Sequence, residues 1–390
     1  MDFAQALITL MDERGISGCE LARRVYCDRS LIYRYRTGKQ QPSANLACKL
    51  DQVLGAGGEL MALALPSPHP SSAAQPRADG RTLALEPVIR YPLADADYVT
   101  HLREAVQQFA LLETRYGGSD VLPIAARTFR AAHSRLASGG YVPAAERDLQ
   151  AAVGEAGEVT AWVAYDSDQQ PLSRTLCQEA MLVSRLAGDR SMELFDLTHL
   201  AMQSIHLHRS AEALRIADDM LGGPQLAVRV TALLHLRRGR ALAQLGDRPR
   251  AFAAIGKARS LLSDGITRRD PVWTWWIDEP ELAWHEGMAH AELGDWPAAV
   301  ALFRASSAGR NAHARARDRY NDTAHLLNAL VHVGAWREAE PVTAGLVETA
   351  AEVGSTRIAN LLRRVTRRIK AEDTTSALAD SAEELVGALA

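Results

Sequence analysis

Apolar residues in the first 65 positions recur at intervals of three and four, the period of short amphipathic helices. Phe3, Leu7, Leu10 and Met11 share one side of a helix over residues 2–14, which Gly15 ends. Ser17 followed by Glu20 is a capping box: the hydroxyl takes the N3 amide, the carboxylate reaches back to the Ser17 amide, and a helix starts at Gly18. That helix turns Leu21, Ala22 and Val25 inward. Asp28 caps the next, in which Leu31 and Ile32 face the interior and Arg29, Ser30, Tyr33 and Arg34 are left outside. Gly38 and Pro42 make a turn, and Ser43 caps a helix holding Leu46, Leu50, Val53 and Leu54. Gly55, Gly57 and Gly58 stop it before a last short helix to about Leu65. Two short helices joined by a tight turn, the second with a polar outer face, make a helix-turn-helix whose second helix is shaped for a major groove.

The pattern then stops. Pro66–Gly80, PSPHPSSAAQPRADG, has no apolar period, and residues 66–95 are expected to be a flexible linker. From Ala96 onward helix follows helix, and a repeat emerges. LRRGRALAQLGDRPRAFAAIGKARSLL places Gly239, Leu242, Gly246, Ala251, Ile255 and Ala258 at the offsets of a tetratricopeptide (TPR) repeat. PELAWHEGMAHAELGDWPAAVALFRAS repeats them with Gly287, His290, Gly294, Ala299, Phe303 and Ser306. Gly334, Ala339 and Thr343 mark a later unit, Leu200, Ala201, Ala213 and Ala217 an earlier one, and Ala161 and Ala180 a degenerate first one. Small residues let the two helices of each pair approach closely, and Gly or Asp breaks the chain between them. The expected architecture is all-α: a five-helix head over 1–65 and an α-solenoid of five helix pairs within 96–371. STRIANLLRRVTRRIKA closes the solenoid as an amphipathic helix with Ile358, Leu361, Leu362, Val365 and Ile369 inward, and 372–390 form a tail. Arg363, Arg364, Arg367 and Arg368 on its other side suit either a solvated cap or phosphate contacts.

Charge sharpens the picture of the head. The 390-residue chain has a formal net charge of −3, yet Arg23 to Lys49 holds seven basic residues against one acid, Asp28. A basic patch on a near-neutral body is the footprint of a nucleic-acid contact. No segment carries the ~18 unbroken apolar residues of a membrane span, and no secretory signal opens the chain, so a cytoplasmic protein with no membrane partner is expected. Cys19, Cys27, Cys48 and Cys177 lack CxxC spacing and are expected as buried free thiols, with no metal site.

Catalytic patterns fail on spacing. HEGMAH sets His285 and His290 five apart, whereas two ligands on one helix face need a separation of four. His199, His206 and His208 lack ligand companions at metal spacing. GAGGEL neither follows a strand nor precedes Lys-Ser/Thr, and there is no GxSxG. Neither an enzyme nor a cofactor is expected.

ELARRVYCDRSLIYRYRTGKQQPS, continuing to LDQVLGAGGEL, resembles the lambda-repressor-like (XRE) helix-turn-helix domains of actinobacterial regulators. YVTHLREAVQQFALLETRYGGSDVLPIAARTFRAAHSRL, the repeats and DPVWTWWIDEPEL resemble the same class. The resemblance implies that Arg29, Ser30, Tyr33 and Arg34 read bases, while Ser17, Arg24, Arg36 and Lys39 hold phosphates. It implies a transcriptional regulator whose TPR body senses an effector or mediates oligomerisation. A single small head makes few base contacts, so a homodimer on a palindromic double-stranded DNA operator is expected. The repeat register puts Trp162, Tyr165, His206, Arg240, Gln244, Glu281, Trp284, Asn328 and His332 on the concave side, where they suit a peptide or small polar-apolar effector. Packing between repeats explains Trp162 and Trp284 equally well. The segment Asp270–Pro280, with Trp273, Trp275 and Trp276, either caps that groove or buries a dimer contact. The rival class is a TPR scaffold for another protein, with the head merely localising it to DNA.

Overall fold

The computed structural model describes residues 3–25, 29–42, 44–56, 58–64, 92–263, 265–309, 316–372 and 375–389. The chain divides into two compact units, residues 1–86 and 87–390. The fold is all-α. Among the described residues the named elements are helices, with one isolated bridge pairing Ala94 and Tyr141.

In the first unit α1 (Phe3–Glu13), α2 (Gly18–Arg24), α3 (Arg29–Arg36), α4 (Ala44–Leu54) and α5 (Glu59–Ala64) enclose one small core. Leu7, Leu21, Ile32, Leu50, Leu54 and Leu60 are buried in it. The Ser17 hydroxyl accepts from the Glu20 amide at 3.2 Å and starts α2 at Gly18. The other half of the expected capping box is not made. The Glu20 carboxylate turns instead to Arg23 and Arg24, at 2.5 and 2.8 Å, because charged guanidinium donors outbid a neutral amide. One cap escaped the sequence: Asp51 accepts from the amides of Gly58 (2.7 Å) and Leu60 (2.9 Å) and so seats α5 against α4. Cys19 is exposed rather than buried, since it lies on the outer side of α2 away from Leu21 and Ala22. The Asp28 and Ser43 caps, Cys27 and residues 66–91 of the expected linker lie outside the described residues.

In the second unit α6 (Ala96–Tyr116) and α7 (Leu122–Ala137) come before five consecutive hairpins. These are α8 (Glu146–Asp166) with α9 (Gln170–Ala187), α10 (Arg190–His206) with α11 (Ser210–Leu221), and α12 (Val228–Gln244) with α13 (Arg248–Leu262). Then come α14 (Glu279–Glu292) with α15 (Trp296–Gly309), and α16 (Ala316–His332) with α17 (Trp336–Glu352). Helix α18 (Thr356–Ala371) follows, and the expected tail supplies α19 (Ser376–Ala388), whose Leu378, Ala382 and Leu385 join the core shared with α16–α18. Each hairpin turns through a residue at positive φ. Gly246, Gly294 and Gly334 hold this place in the last three, and Asp168 and His208 adopt it without glycine in the first two. The small positions work as expected: a Cβ on Gly239 would lie 2.7 Å from Ile255 Cγ1, so α12 and α13 can cross this closely only over glycine.

The array does not stay open. Helix α16 packs on α6, and α18 on α8, so the last hairpins meet the first. The seam is a backbone contact, with the Gly354 amide donating to the Tyr116 carbonyl at 2.6 Å and the Ser119 amide to the Gly354 carbonyl at 3.0 Å. A Cβ on Gly117 would fall 2.6 Å from the Gly354 carbonyl carbon, so the seam needs glycine there. Buried Asp166 locks it: one carboxylate oxygen accepts from the Ser355 hydroxyl (2.8 Å) and from Arg357 Nη2 (3.2 Å).

Candidate functional site: the basic helix and the cavity of the body

Ile32 and Tyr35 anchor α3 in the core of the head, Tyr35 meeting Phe3 edge-on at 6.5 Å between ring centres. The helical period therefore turns Arg29, Ser30, Tyr33 and Arg34 outward, and all four are exposed, Tyr33 by 59%. Arg34 folds back along its own helix, with Nη2 3.2 Å from the Ser30 hydroxyl and Nη1 3.4 Å from Gln40 Oε1. Lys39 Nζ sits 5.8 Å from the centre of the Tyr33 ring. Ser17, Arg24, Arg36 and Lys39 are exposed as well. Arg24 is engaged by Glu20, but an exposed ion pair of this kind is worth little and can be exchanged for a phosphate. Long, solvent-exposed hydrogen bonds are likewise cheap to exchange for the paired acceptors of a guanine edge.

Closure of the body turns the expected groove into a cavity of about 280 Å³. Of the nine predicted groove residues, Trp162, Tyr165, Arg240, Glu281 and Trp284 line it. The other four do not. Gln244, one turn beyond Arg240, staples neighbouring hairpins by bonding the Ser210 hydroxyl (2.6 Å), the Ile205 carbonyl (3.0 Å) and Glu292 (2.9 Å). His206 packs edge-on against Tyr165 at 5.2 Å, and burial pushes its pKa down to about 4. His332 stacks on Trp296 at 3.6 Å and so faces the neighbouring helix pair, its Nδ1 2.8 Å from the backbone carbonyl of Asn328 one turn earlier. Trp273, Trp275 and Trp276 line the cavity too. The segment thus forms part of the cavity wall. Trp273 lies parallel to Phe195 at 4.4 Å and donates its indole N–H to Ser191.

Among the described residues four arginines line the cavity, and three lie directly against carboxylates. Arg317 lies 3.0 Å from Glu113 and 2.6 Å from Asp318, over the Trp162 ring at 4.6 Å. Arg357 pairs with Asp166 over Tyr165, and Arg240 lies 3.3 Å from Glu292 and over Trp284 at 5.2 Å. Burial, against the opposing pull of Arg317, raises the Glu113 carboxyl to about 7. Arg237 differs from the other three. It is 3% exposed, and among the described residues no carboxylate oxygen comes within the 4.0 Å of an ion pair. Its Nη1 lies 3.2 Å from His285 Nε2, and its Nε, like those of Arg240 and Arg357, makes no hydrogen bond among the described residues. His285 Nε2 also stands 3.4 Å from Glu281 Oε1, and one ring nitrogen cannot both accept from Arg237 and donate to Glu281. Among the described residues, therefore, at most one of the five Arg237 N–H donors is satisfied. Burial, against the opposing pull of Glu281, lowers the pKa of Arg237 to about 10 and that of His285 to about 4, so at neutral pH a charged guanidinium lies beside a neutral ring. Sequence reasoning missed Arg237, Arg317, Arg357 and Glu113. Arg237 was within reach, since it sits one turn before Arg240 on the same face of α12.

Among the described residues no three His, Cys, Asp or Glu side chains are grouped to hold a metal ion, and no helix is long and apolar enough to cross a membrane. No curated protein matches the chain. Residues 2–64 match the family model described as a helix-turn-helix domain, so the N-terminal unit is a helix-turn-helix domain, the module that offers a recognition helix to DNA.

Proposed function

We propose that the protein is a sequence-specific transcriptional regulator of the XRE type, acting as a homodimer on a palindromic operator. Its TPR-like body senses a small effector and passes that state to the heads. The observation that carries this is α3: four side chains able to donate to base edges stand exposed on a helix anchored by Ile32 and Tyr35, inside a matched helix-turn-helix domain. Arg29, Ser30, Tyr33 and Arg34 then read bases, and Ser17, Arg24, Arg36 and Lys39 fix the register on phosphates. Nothing in the sequence provides a nucleophile or metal motif, and regulation rather than catalysis is the role assigned. Effector sensing is favoured over a scaffold role by the aromatic, charge-lined cavity, whose converging rings and charged groups suit a small ligand. For sensing to operate, the effector must bind the two head arrangements unequally.

The test is selection of duplexes from a random pool by the full chain, followed by anisotropy titration of the winner and a scrambled duplex across a salt series. Enrichment of an inverted repeat, with the winner bound at least ~10³-fold tighter than scrambled DNA, is expected. Equal affinity for the two, or no binding at low salt, ends this assignment.

A further inference from the structure

Resting on the effector-sensing role proposed above, we infer that the cavity takes a compact aromatic monocarboxylate, its carboxylate on Arg237 and its ring among Trp162, Trp273, Trp276 and Trp284. The size of the space decides first. About 280 Å³ is at the small end of ligand pockets and fits a small organic molecule. Charge decides next. A buried cation without a counter-ion is costly, and proteins match buried charges with partners. Arg317, Arg357 and Arg240 touch carboxylates directly, whereas Arg237 has none within ion-pair distance among the described residues and meets Glu281 only across the His285 ring. The acids of the described lining have partners of their own: Glu113 and Asp318 hold Arg317, Glu281 lies 3.4 Å from His285 Nε2, Glu158 lies 2.8 Å from His199 Nδ1, and Asp322 accepts the Ser306 hydroxyl at 2.7 Å. A planar guanidinium with free N–H groups selects a planar two-oxygen anion, which it binds through paired charge-assisted hydrogen bonds. The wall selects the rest of the ligand. Indole and phenyl faces favour a flat ring by stacking and by area buried.

Isothermal titration of the full chain with indole-3-acetate, its amide and tryptamine separates these contributions, since the three share a ring and differ in charge. Indole-3-acetate is expected to bind at least ~10-fold tighter than the amide, the equivalent of one charge-assisted hydrogen bond, with tryptamine weakest. Arg237→Met should lose that preference and leave the thermal midpoint of the unliganded protein at or above that of the parent, because an unpaired buried charge has been removed. Arg237→Lys, which keeps the charge without the fork, should fall between them. Equal affinity for acid and amide, tighter binding of tryptamine, no heat from the acid at millimolar concentration, or unchanged affinity in Arg237→Met overturns the inference. The same titrations repeated on the DNA complex keep the two proposals apart. Arg237-dependent acid binding that leaves DNA affinity unchanged sinks effector sensing alone, and an amine that binds and shifts DNA affinity sinks the carboxylate alone.

Discussion

Asp166 joins the first hairpin to the chain around Ser355, and deleting its carboxylate asks whether this contact holds the body closed. The side chain is fully buried and accepts from the Ser355 hydroxyl at 2.8 Å, Arg357 Nη2 at 3.2 Å and the Gly118 amide at 3.3 Å. Asp166→Ala strips acceptors from a hydroxyl and an amide and strands the Arg357 guanidinium, whose side chain is 10% exposed. Breaking one side of a buried ion pair costs about 3–5 kcal/mol. Arg357 keeps its bond to Asn321 at 3.2 Å and its place over Tyr165, which puts the expected loss at the lower end of that range. Such a loss is large against the ~5–15 kcal/mol that stabilises an ordinary domain. In the Asp166→Ala/Arg357→Met double variant the stranded charge is gone, so the pair should cost less than the sum of the singles by about 2 kcal/mol. Urea unfolding followed by tryptophan fluorescence measures this in the intact chain, because all seven tryptophans lie between residues 162 and 336 and report on the body alone. The Asp166→Ala midpoint should fall with little change in slope. A loss below ~1 kcal/mol, or single and double variants that add within ~0.5 kcal/mol, would show that the seam is held elsewhere.

Three further outcomes are expected. Arg34→Ala should cost about 1–3 kcal/mol on the cognate duplex and relax base preference, whereas Lys39→Ala should weaken all sequences alike and lower the salt slope by about 1; equal effects of Arg34→Ala on cognate and scrambled DNA would remove its base-reading role. Asp51→Ala leaves the Gly58 and Leu60 amides without their acceptor and should cost the head about 1–2 kcal/mol, read as faster hydrogen exchange in α5, and unchanged exchange there would rule out the cap. Burial, together with the neighbouring Glu158 carboxylate, pushes Asp196 up to about 9 from an ordinary 3.8. The folded state thus keeps a proton that the unfolded chain releases, and the contribution of Asp196 to stability declines as pH rises from about 4 towards 9. Asp196→Asn should therefore raise the thermal midpoint more at pH 8 than at pH 5, and an equal gain at both would contradict the shift.

The head was legible because its determinants are local. Ser17 starts α2, Gly15, Gly38 and Gly55 stop helices in left-handed conformations, and a 3.6-residue period fixes which side of α3 faces Ile32 and which faces water. The hairpins were legible for the same reason, since the small residue at Gly239 and the turn at Gly246 are seven positions apart and act on one crossing. Even local signals failed where two partners competed, as when Glu20 left the Ser17 amide for Arg23 and Arg24.

What the chain's order of residues could not disclose is that the array closes. The bond from Ser355 to Asp166 spans 189 positions, and no window of helical periodicity contains both ends. Small changes of angle at each hairpin accumulate along a stack of repeats, and their sum decides whether the first and last helices meet. That meeting decided which side chains share a cavity. It gathered Arg237, Arg317 and Arg357 from three separated helices, left Gln244 and His332 to staple neighbours, and brought Trp273 and Trp276 into the cavity wall. Periodicity fixed the elements and their inner faces because those depend on neighbours a few residues away, while the cavity and the charges gathered in it depend on distances that only the closed body sets.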